Sequence, residues 1–275
     1  MTKNVLVLCG AGQIGLAITR RVASGKKIVI GDKNESNAKH VETILNEAGF
    51  DAISYPLDLA SKPSILQFIK HAQHHGPITT FINAAGVSPS QASIETILDV
   101  DLTGTACLLE EIGHVIEPYG TGVTISSQSG YRMAQLTQEE DTALATTPVD
   151  QLKDLPLLQI NQIQDTLHAY QLAKRCSGKR VMAQAVKWGQ KKARLNAISP
   201  GIIVTPLALD EFNGPRGDFY KEMFAKSPAG RPGTADEVAH LAALLLSEEG
   251  AFITGSDFLI DGGATAQFFY GDFTS

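Results

Sequence analysis

Residues 4–15 read NVLVLCGAGQIG, an apolar run that passes directly into a glycine-rich turn. The aliphatic run predicts a short buried strand, and amphipathic spacing resumes at residue 13, so the turn opens a helix. The glycines follow the pattern G-x-G-x-x-G, which lets a pyrophosphate approach the backbone while the helix N-terminus offers unpaired N–H groups and a partial positive charge. The stretch therefore predicts a nucleotide-binding β-α unit. Its candidate residues are Gly10, Gly12, Gln13, Ile14 and Gly15.

An acidic residue closes the second predicted strand. Asp32 follows the glycine turn at a separation where a carboxylate accepts hydrogen bonds from both hydroxyls of an adenosine ribose. The same charge would repel a 2′-phosphate, which favours NAD over NADP as the bound cofactor. Lys33 comes next in the chain and could soften that preference, so NADP stays open as the second choice.

Short apolar runs alternate with amphipathic ones along the whole chain, a rhythm typical of β-α units on a parallel sheet. The sequence shows no internal repeat, low-complexity tract or linker-like change of composition, so residues 1–275 are expected to form one α/β domain. Seven strands are predicted, at residues 4–8, 27–31, 52–55, 79–82, 122–126, 194–198 and 258–260. Helices are predicted at 13–23, 36–47, 62–74, 94–116, 166–188 and 235–246.

Composition limits the classes of partner. A formal net charge of −6 and a pI near 5.6 argue against nucleic acid and anionic membranes, whose phosphates would be repelled. No segment approaches the ~20 apolar residues that cross a bilayer, and the three widely spaced cysteines suit reduced thiols in the cytoplasm. We therefore expect a cytoplasmic protein with a small-molecule partner. No metal site is expected, because the preferred interpretation of the only histidine cluster is a solvated helix end: His71, His74 and His75.

Tyr170 and Lys174 stand one helical turn apart, and Ser126-Ser127 ends a predicted strand upstream. Residues spaced i and i+4 share one helix face, so the ammonium can favour the ionised form of the phenol. Half-ionisation at pH 7 needs a shift of about 3 units from a pKa of about 10, or roughly 4 kcal/mol. A lysine and a bound cationic cofactor could supply that together. Alone, such a pair is more often a chance pair on a solvated helix face, so its context decides.

These residues and an ordered series of further motifs resemble the short-chain dehydrogenase/reductase family over nearly the whole chain. The resemblance implies a Rossmann-like, doubly wound, seven-stranded parallel sheet in a single domain. It also implies NAD(P) across the carboxyl edge of the sheet, and hydride transfer between nicotinamide and an alcohol or carbonyl carbon. The further motifs are Leu57-Asp58-Leu59, Asn83-Ala84-Ala85-Gly86, NAISPG at 196–201, Thr205 and DGG at 261–263.

The resemblance also implies roles for individual residues. Tyr170 is expected to be the general acid/base, and Lys174 to lower its pKa and hold the nicotinamide ribose. Ser127, rather than Ser126, is expected to hydrogen-bond the substrate oxygen. The remaining expected cofactor contacts are Asp58 and Leu59 at the adenine, Asn83, Ala84, Ala85 and Gly86 beneath the adenosine ribose, and Pro200, Gly201, Ile203 and Thr205, the last two at the nicotinamide carboxamide.

Three features depart from the family pattern. The usual T-G-x-x-x-G-x-G is replaced at three positions, so the loop is expected to follow the general Rossmann turn. Asp101 takes the place of an asparagine that completes a proton relay, where its charge could change the pH profile or the pairing of the lysine. An insertion at 131–165 separates the serine from the tyrosine. Its cap signals, Thr137 with Glu140 and Thr147 before a proline, predict two short helices.

The insertion and a flap at 206–226 are expected to form the substrate wall. Their apolar side chains predict a hydrophobic or bulky secondary alcohol or ketone, as for a hydroxysteroid dehydrogenase or carbonyl reductase, or else they only bury each segment. Two other functions stay open: a catalytically inactive NAD(H)-binding regulatory or scaffold protein, and a lyase or epimerase that uses NAD transiently. The wall candidates are Tyr131, Met133, Leu136, Leu155, Leu157, Leu158, Phe212, Phe219, Met223 and Phe224.

Two features favour a homodimer or homotetramer. The aromatic chain end at 268–273 is expected to pack on its own sheet edge or on a neighbouring subunit. The predicted helix at 166–188 carries small residues that suit close packing against another subunit, although the insertion could block that interface. These small residues are Ala169, Ala173, Ser177 and Ala185.

Overall fold

Strands and helices alternate along the chain in the computed structural model, which describes residues 3–214 and 217–271. The strands are β1 (Val5–Cys9), β2 (Lys27–Asp32), β3 (Asp51–Pro56), β4 (Ile78–Asn83), β5 (Thr121–Ile125), β6 (Arg194–Pro200), β7 (Ile203–Val204), β8 (Gly233–Thr234) and β9 (Asp257–Ile260). Within the described residues, seven of them form one parallel sheet in the order β3-β2-β1-β4-β5-β6-β9. The strand order reverses between β1 and β4, as in a doubly wound sheet. The predicted seven-stranded parallel sheet is confirmed.

Helices cover both faces of this sheet. They are α1 (Gln13–Val22), α2 (Glu35–Glu47), α3 (Lys62–His74), α4 (Ile94–Ile97), α5 (Thr105–Val115), α6 (Gln138–Thr146), α7 (Thr166–Gly189), α8 (Pro206–Phe212), α9 (Gly217–Lys226), α10 (Ala235–Leu246) and α11 (Ala264–Tyr270). Alternate residues of β1 enter opposite cores: Val7 packs with α3, α5 and α7, and Leu8 packs with α1 and α10. Because β1 is buried on both sides, its sequence is an unbroken apolar run.

The helix predicted at 94–116 changes its winding in the middle. Between α4 and α5, residues Leu98–Gly104 form a π-helical turn. The Thr103 hydroxyl donates at 3.0 Å to the backbone carbonyls of Leu98 and Asp99 in the same turn. Asp101 lies in this segment, and π-helical turns are frequent at functional sites.

The insertion at 131–165 contains one α-helix rather than two. Thr137 caps α6 in the predicted capping box with Glu140. Thr147 ends α6, because the residue before Pro148 is restricted to extended backbone, and the next α-helix begins only at Thr166. Three short 3-10 helices follow, Val149–Asp154, Pro156–Leu158 and Ile160–Gln162.

A third apolar core joins the insertion to α7. Leu144 of α6 packs against a cluster that includes Ala169 and Ala173, both fully buried. Ser177 and Ala185 are also buried within this one chain. The prediction that these small residues serve subunit packing is therefore wrong, since the chain buries them itself.

The chain end folds partly back on the molecule. Phe268 of α11 contacts Arg132, whereas Tyr270 is 91% exposed. Phe273, the last aromatic residue of the predicted patch, lies outside the described residues. Two packing modes are predicted for this chain end, on its own chain or on a neighbouring subunit. Phe268 packs on its own chain.

Candidate active site

One cavity of about 420 Å³ lies beside the carboxyl ends of β4, β5 and β6. It brings together residues from distant parts of the sequence, including three of the four predicted catalytic residues. These three are Ser127, Tyr170 and Lys174. The predicted cofactor residues in the cavity wall are Ile14, Ala84, Ala85, Gly86, Pro200, Gly201, Ile203 and Thr205.

Tyr170 and Lys174 meet on α7 as their spacing predicts. The Lys174 Nζ atom lies 5.1 Å from the centre of the Tyr170 ring. The lysine side chain is only 7% exposed, so solvent and salt screen its charge weakly. Burial acts to lower the pKa of Lys174, but the Asp101 carboxylate and the Tyr170 phenol outweigh it and the pKa lies above its ordinary value. The ammonium is therefore charged at neutral pH beside the phenol.

The two neighbouring serines have different surroundings. The Ser126 hydroxyl is buried and donates to the backbone carbonyl of Lys174 at 2.9 Å, which ties the end of β5 to α7. The Ser127 Oγ accepts from the backbone N–H of Ser129 at 3.1 Å and keeps its own proton available for another acceptor. This difference favours Ser127 over Ser126 as the residue that meets a substrate oxygen.

Asp101, the fourth predicted catalytic residue, lies behind the cavity wall. Its Oδ1 accepts from the backbone N–H of Val87 at 3.0 Å, and its Oδ2 is 3.5 Å from Lys174 Nζ. Burial raises the pKa of Asp101, while Lys174 and the Val87 N–H oppose that rise only in part. Gly86 packs against the pair, since a Cβ there would stand 2.9 Å from Asp101 Oδ1 and 3.3 Å from Lys174 Nζ.

The three glycines of the loop after β1 have three different surroundings. Gly10 has φ +91°, and a Cβ would meet the Ala85 backbone nitrogen at 2.4 Å. At Gly15 a Cβ would meet the Gly10 carbonyl oxygen at 2.6 Å, so this glycine permits close helix packing. Gly12 begins α1 without a side-chain cap, and a Cβ there would contact nothing within 4 Å. The free space and uncapped N–H groups fit a pyrophosphate.

Asp32 and its neighbours form the adenosine end of the predicted cofactor site. Asp32 accepts from the backbone N–H groups of Ala11 at 2.7 Å and Asn34 at 2.8 Å, and its oxygens retain further lone pairs for a ribose. The Lys33 ammonium pairs with Asp58 at 3.0 Å. The predicted cofactor residues that do not line the cavity are Gly10, Gly12, Gln13, Gly15, Asp32, Asp58, Leu59 and Asn83.

Asn83 holds the middle of the sheet together at the end of β4. Its side-chain amide donates to Thr124 Oγ1 of β5 at 3.1 Å, and its Oδ1 accepts from the Ala85 backbone N–H at 3.3 Å. The backbone N–H of Ala84 donates to the Cys9 carbonyl at 2.8 Å. These bonds fix the segment from Asn83 to Gly86 beside the glycine loop.

The predicted substrate wall is only partly correct. Phe219 and Met223 of the flap line the cavity, whereas the five predicted aliphatic or methionine residues of the insertion pack into the third core. Tyr131 instead donates its hydroxyl to the Asp257 carbonyl at 3.1 Å. The wall residues that sequence reasoning missed include Gln128, Arg132, Leu167, Gln171, Tyr220 and Phe268. Arg132 is charged, so the apolar pattern that marks the wall candidates carries no signal for it.

The predicted histidine cluster lies at the end of α3, where its rings contact one another and a tyrosine. The His71 ring stacks on Tyr55 at 4.1 Å, and its Nε2 lies 3.3 Å from Nε2 of His75. Across residues 3–214 and 217–271, no group of His, Cys, Asp and Glu side chains is arranged to hold a metal ion. In those same ranges, none of the helices has the length and apolarity required to span a bilayer.

Known proteins resemble the chain along most of its length. Residues 3–138 match the short chain dehydrogenase family, and residues 158–265 match a family described as enoyl-(acyl carrier protein) reductase. The short-chain dehydrogenase/reductase bsc3 of Alternaria brassicicola is 37% identical over 267 residues, which cover 97% of each chain. The chain belongs to the short-chain dehydrogenase/reductase family. It is therefore an oxidoreductase of the dehydrogenase/reductase type.

Two further known proteins are similar to the chain. The 3beta-hydroxysteroid dehydrogenase 1 of Eggerthella lenta is 26% identical, over 96% of this chain and 94% of its own. A solved 7 alpha-hydroxysteroid dehydrogenase complexed with NADH and 7-oxo glycochenodeoxycholic acid superposes with a TM-score of 0.75. That structure is 20% identical and covers 94% of this chain and 93% of its own, so it supports the fold of this short-chain dehydrogenase/reductase.

Proposed function

We propose that the protein is an NAD(H)-dependent oxidoreductase that interconverts a secondary alcohol and a ketone, with a bulky or partly apolar substrate. The observation that carries the proposal is the convergence of Ser127, Tyr170 and Lys174 on one cavity. Its volume of about 420 Å³ suits a small molecule. Phe219 and Met223 in the wall, and a hydroxysteroid dehydrogenase among the relatives, support a substrate of this kind.

The chain offers a suitable group for each part of the cofactor. The open backbone at Gly12 suits its pyrophosphate, the carboxylate of Asp32 its adenosine ribose, and the Lys174 ammonium its nicotinamide ribose. When bound there, the nicotinamide supplies the ring carbon that accepts or donates hydride. The residues present therefore fit a nicotinamide dinucleotide.

Proton transfer is assigned to the phenolic oxygen of Tyr170. The charge of Lys174, held 5.1 Å from the ring centre, favours the phenolate that takes the proton of a substrate hydroxyl. Ser127 holds the substrate oxygen by donating its hydroxyl proton in a hydrogen bond. In the reductive direction the phenol returns the proton to that oxygen. Asp101 is assigned a relay role behind Lys174, because its Oδ2 faces the ammonium at 3.5 Å and accepts no hydrogen bond within the described part of the chain.

The preference for NAD over NADP rests on charge. A 2′-phosphate would approach the Asp32 carboxylate, which repels it. Lys33 could offset that repulsion, but its ammonium is paired with the Asp58 carboxylate at 3.0 Å. The local balance of charge therefore favours the unphosphorylated ribose.

The test supplies purified protein with NAD⁺ or NADP⁺ and a panel of secondary alcohols, and follows the absorbance of the reduced cofactor. The proposal predicts turnover with NAD⁺ at a kcat/KM above that with NADP⁺, and a reversal of this preference in Asp32→Ala. NADH binding without turnover of any alcohol or ketone would instead support the inactive binding protein. Turnover in wild-type protein that prefers NADP⁺ would contradict the role of Asp32.

A further inference from the structure

A guanidinium to which the described residues offer no oxygen acceptor lies in the cavity wall. Arg132 follows the 3-10 turn Gln128–Gly130, directly after Ser127, and lines the same cavity as Tyr170. Its Nη1 lies 3.2 Å from Met223 Sδ, and a thioether is a weak hydrogen-bond acceptor. Its Nε is buried and has no hydrogen-bond partner among the residues that the structure describes. The strongest planar donor in the cavity is therefore left largely unsatisfied.

Two other arginines among the described residues are well supplied with oxygen acceptors. Arg175 binds both carboxylate oxygens of Asp141, at 2.8 and 2.6 Å, and Arg194 donates to several backbone carbonyls. Burial lowers the pKa of Arg132, and the charges of Asp261 and of the Tyr220 phenol oppose that effect only in part. The two carboxylate oxygens of Asp261 already accept from the backbone N–H groups of residues 263 and 265, at 2.9 and 2.7 Å.

A second polar side chain in the cavity wall, Gln128, also lacks a good hydrogen-bond partner among the described residues. Gln128 is 4% exposed, and its Nε2 lies 3.7 Å from the same Met223 sulfur. Its buried Oε1 accepts no hydrogen bond from any described residue. Two nitrogen donors thus converge on one poor acceptor. Buried donors that lack a good acceptor are costly, and a ligand oxygen in the cavity would supply the acceptor that these two nitrogen donors lack.

An aromatic ring holds the guanidinium in place. The Arg132 Cζ lies 5.7 Å from the centre of the Phe268 ring, within range of a cation–π interaction. This contact restricts the side chain without using its N–H donors. A planar guanidinium held in this way matches the two oxygens of a carboxylate, with which it forms short, charge-assisted hydrogen bonds.

We propose that Arg132, assisted by Gln128, binds a carboxylate on the substrate and so makes the enzyme selective for hydroxy and oxo acids. The carboxylate lies at one end of the substrate, and the carbon that reacts lies beside Tyr170. This inference deepens the proposed function and rests on it for the identity of the reacting group. Because the whole chain carries a net charge of −6, the selectivity has to come from this local cation rather than from the overall field.

The experiment compares oxoalkanoates with their primary amides, which match them in shape and lack the charge. Affinity is measured by calorimetry on the protein with bound NAD⁺, which cannot reduce an oxo acid, and turnover is measured separately by NADH consumption. Wild-type protein is expected to bind the acids about 10- to 100-fold more tightly than the amides. In Arg132→Met this ratio should fall to about one, and Arg132→Lys should give an intermediate value. Arg175→Met, which removes a guanidinium that lies outside the cavity wall, should leave the ratio unchanged.

Equal binding of acids and amides to wild-type protein would overturn the proposal without any substitution, so it stays testable if Arg132→Met does not fold. An unchanged ratio in folded Arg132→Met would also overturn it. A loss of NADH affinity in that variant would assign the arginine to the cofactor and not to the substrate. Failure of the proposed function gives a different result, in which the acids still bind through Arg132 but neither acids nor amides are oxidised or reduced.

Discussion

Alanine at Gly10 and alanine at Gly12 should separate folding from cofactor binding within a single loop. Gly10 has φ +91°, and a Cβ there would meet backbone atoms of Ala84 and Ala85 at 2.4 to 2.7 Å. Backbone atoms in the middle of the sheet cannot move aside as a flexible side chain can. At Gly12 the φ of −88° is ordinary for any residue, and a Cβ would contact nothing within 4 Å.

The magnitudes follow from these two environments. An L-residue in the left-handed region costs about 1–2 kcal/mol, and overpacking a rigid site costs about 1–3 kcal/mol more. Gly10→Ala should therefore lower the free energy of unfolding by roughly 2–5 kcal/mol, or Tm by about 4–20 °C. Gly12→Ala should change the free energy of unfolding by no more than about 0.5 kcal/mol, because the weaker N-cap is offset by the reduced entropy of the unfolded chain.

Thermal unfolding followed by circular dichroism measures the first effect, and NADH titration followed by cofactor fluorescence measures the second. Gly12→Ala should bind NADH at least about tenfold more weakly while it unfolds at the wild-type temperature, since the new methyl group occupies the space assigned to the pyrophosphate. Wild-type affinity in Gly12→Ala would refute that assignment. A Tm for Gly10→Ala within about 2 °C of wild type would refute the steric reasoning.

Two further substitutions test other parts of the structure. Gly86→Ala places a methyl group 2.9 Å from Asp101 Oδ1 and should lower kcat by about tenfold or more, measured as NADH formation, with little change in Tm. Asp141→Asn should lower the free energy of unfolding at pH 7 by roughly 1–2 kcal/mol in urea titrations, because α6 loses its links to Arg175 and Lys179. Burial opposes the charged carboxylate, but those two partners outweigh it and hold the pKa of Asp141 below its ordinary value. The stabilisation is therefore present above about pH 4 and lost as pH falls further, so the wild-type and Asp141→Asn curves should converge in acid.

The central part of the fold could be predicted from the sequence because its signals are local. The run from Val5 to Cys9 is apolar on both faces of β1, and the glycine spacing after it is a local pattern, although the atoms that exclude a side chain at Gly10 belong to the distant residues Ala84 and Ala85. The position of Tyr170 and Lys174 on one face of α7 follows from their helical spacing alone. In these segments the local conformational preference of the sequence agrees with the conformation in the final fold.

The parts that could not be predicted depend on contacts between distant segments. Whether Ala173 faces solvent, a second subunit or its own chain is decided by where the insertion docks, and helical periodicity carries no such information. Met223 and Phe268 lie far from Arg132 in the sequence and pack against its guanidinium in the fold. None of the described residues offers the Arg132 Nε a hydrogen-bond acceptor, and the sequence carries no sign of this arrangement. Thr147 carries the same extended backbone whether it ends one helix or begins the next, so the local pattern before Pro148 does not distinguish the two roles.

Tyr170→Phe tests most directly whether this cavity is a catalytic site. The substitution removes one oxygen and leaves the ring beside Lys174. We expect NADH affinity within a few-fold of wild type, and turnover of any alcohol or ketone substrate lowered by about 10²- to 10⁴-fold, the usual contribution of a general acid or base. Turnover within a few-fold of wild type would contradict the assignment of proton transfer to Tyr170.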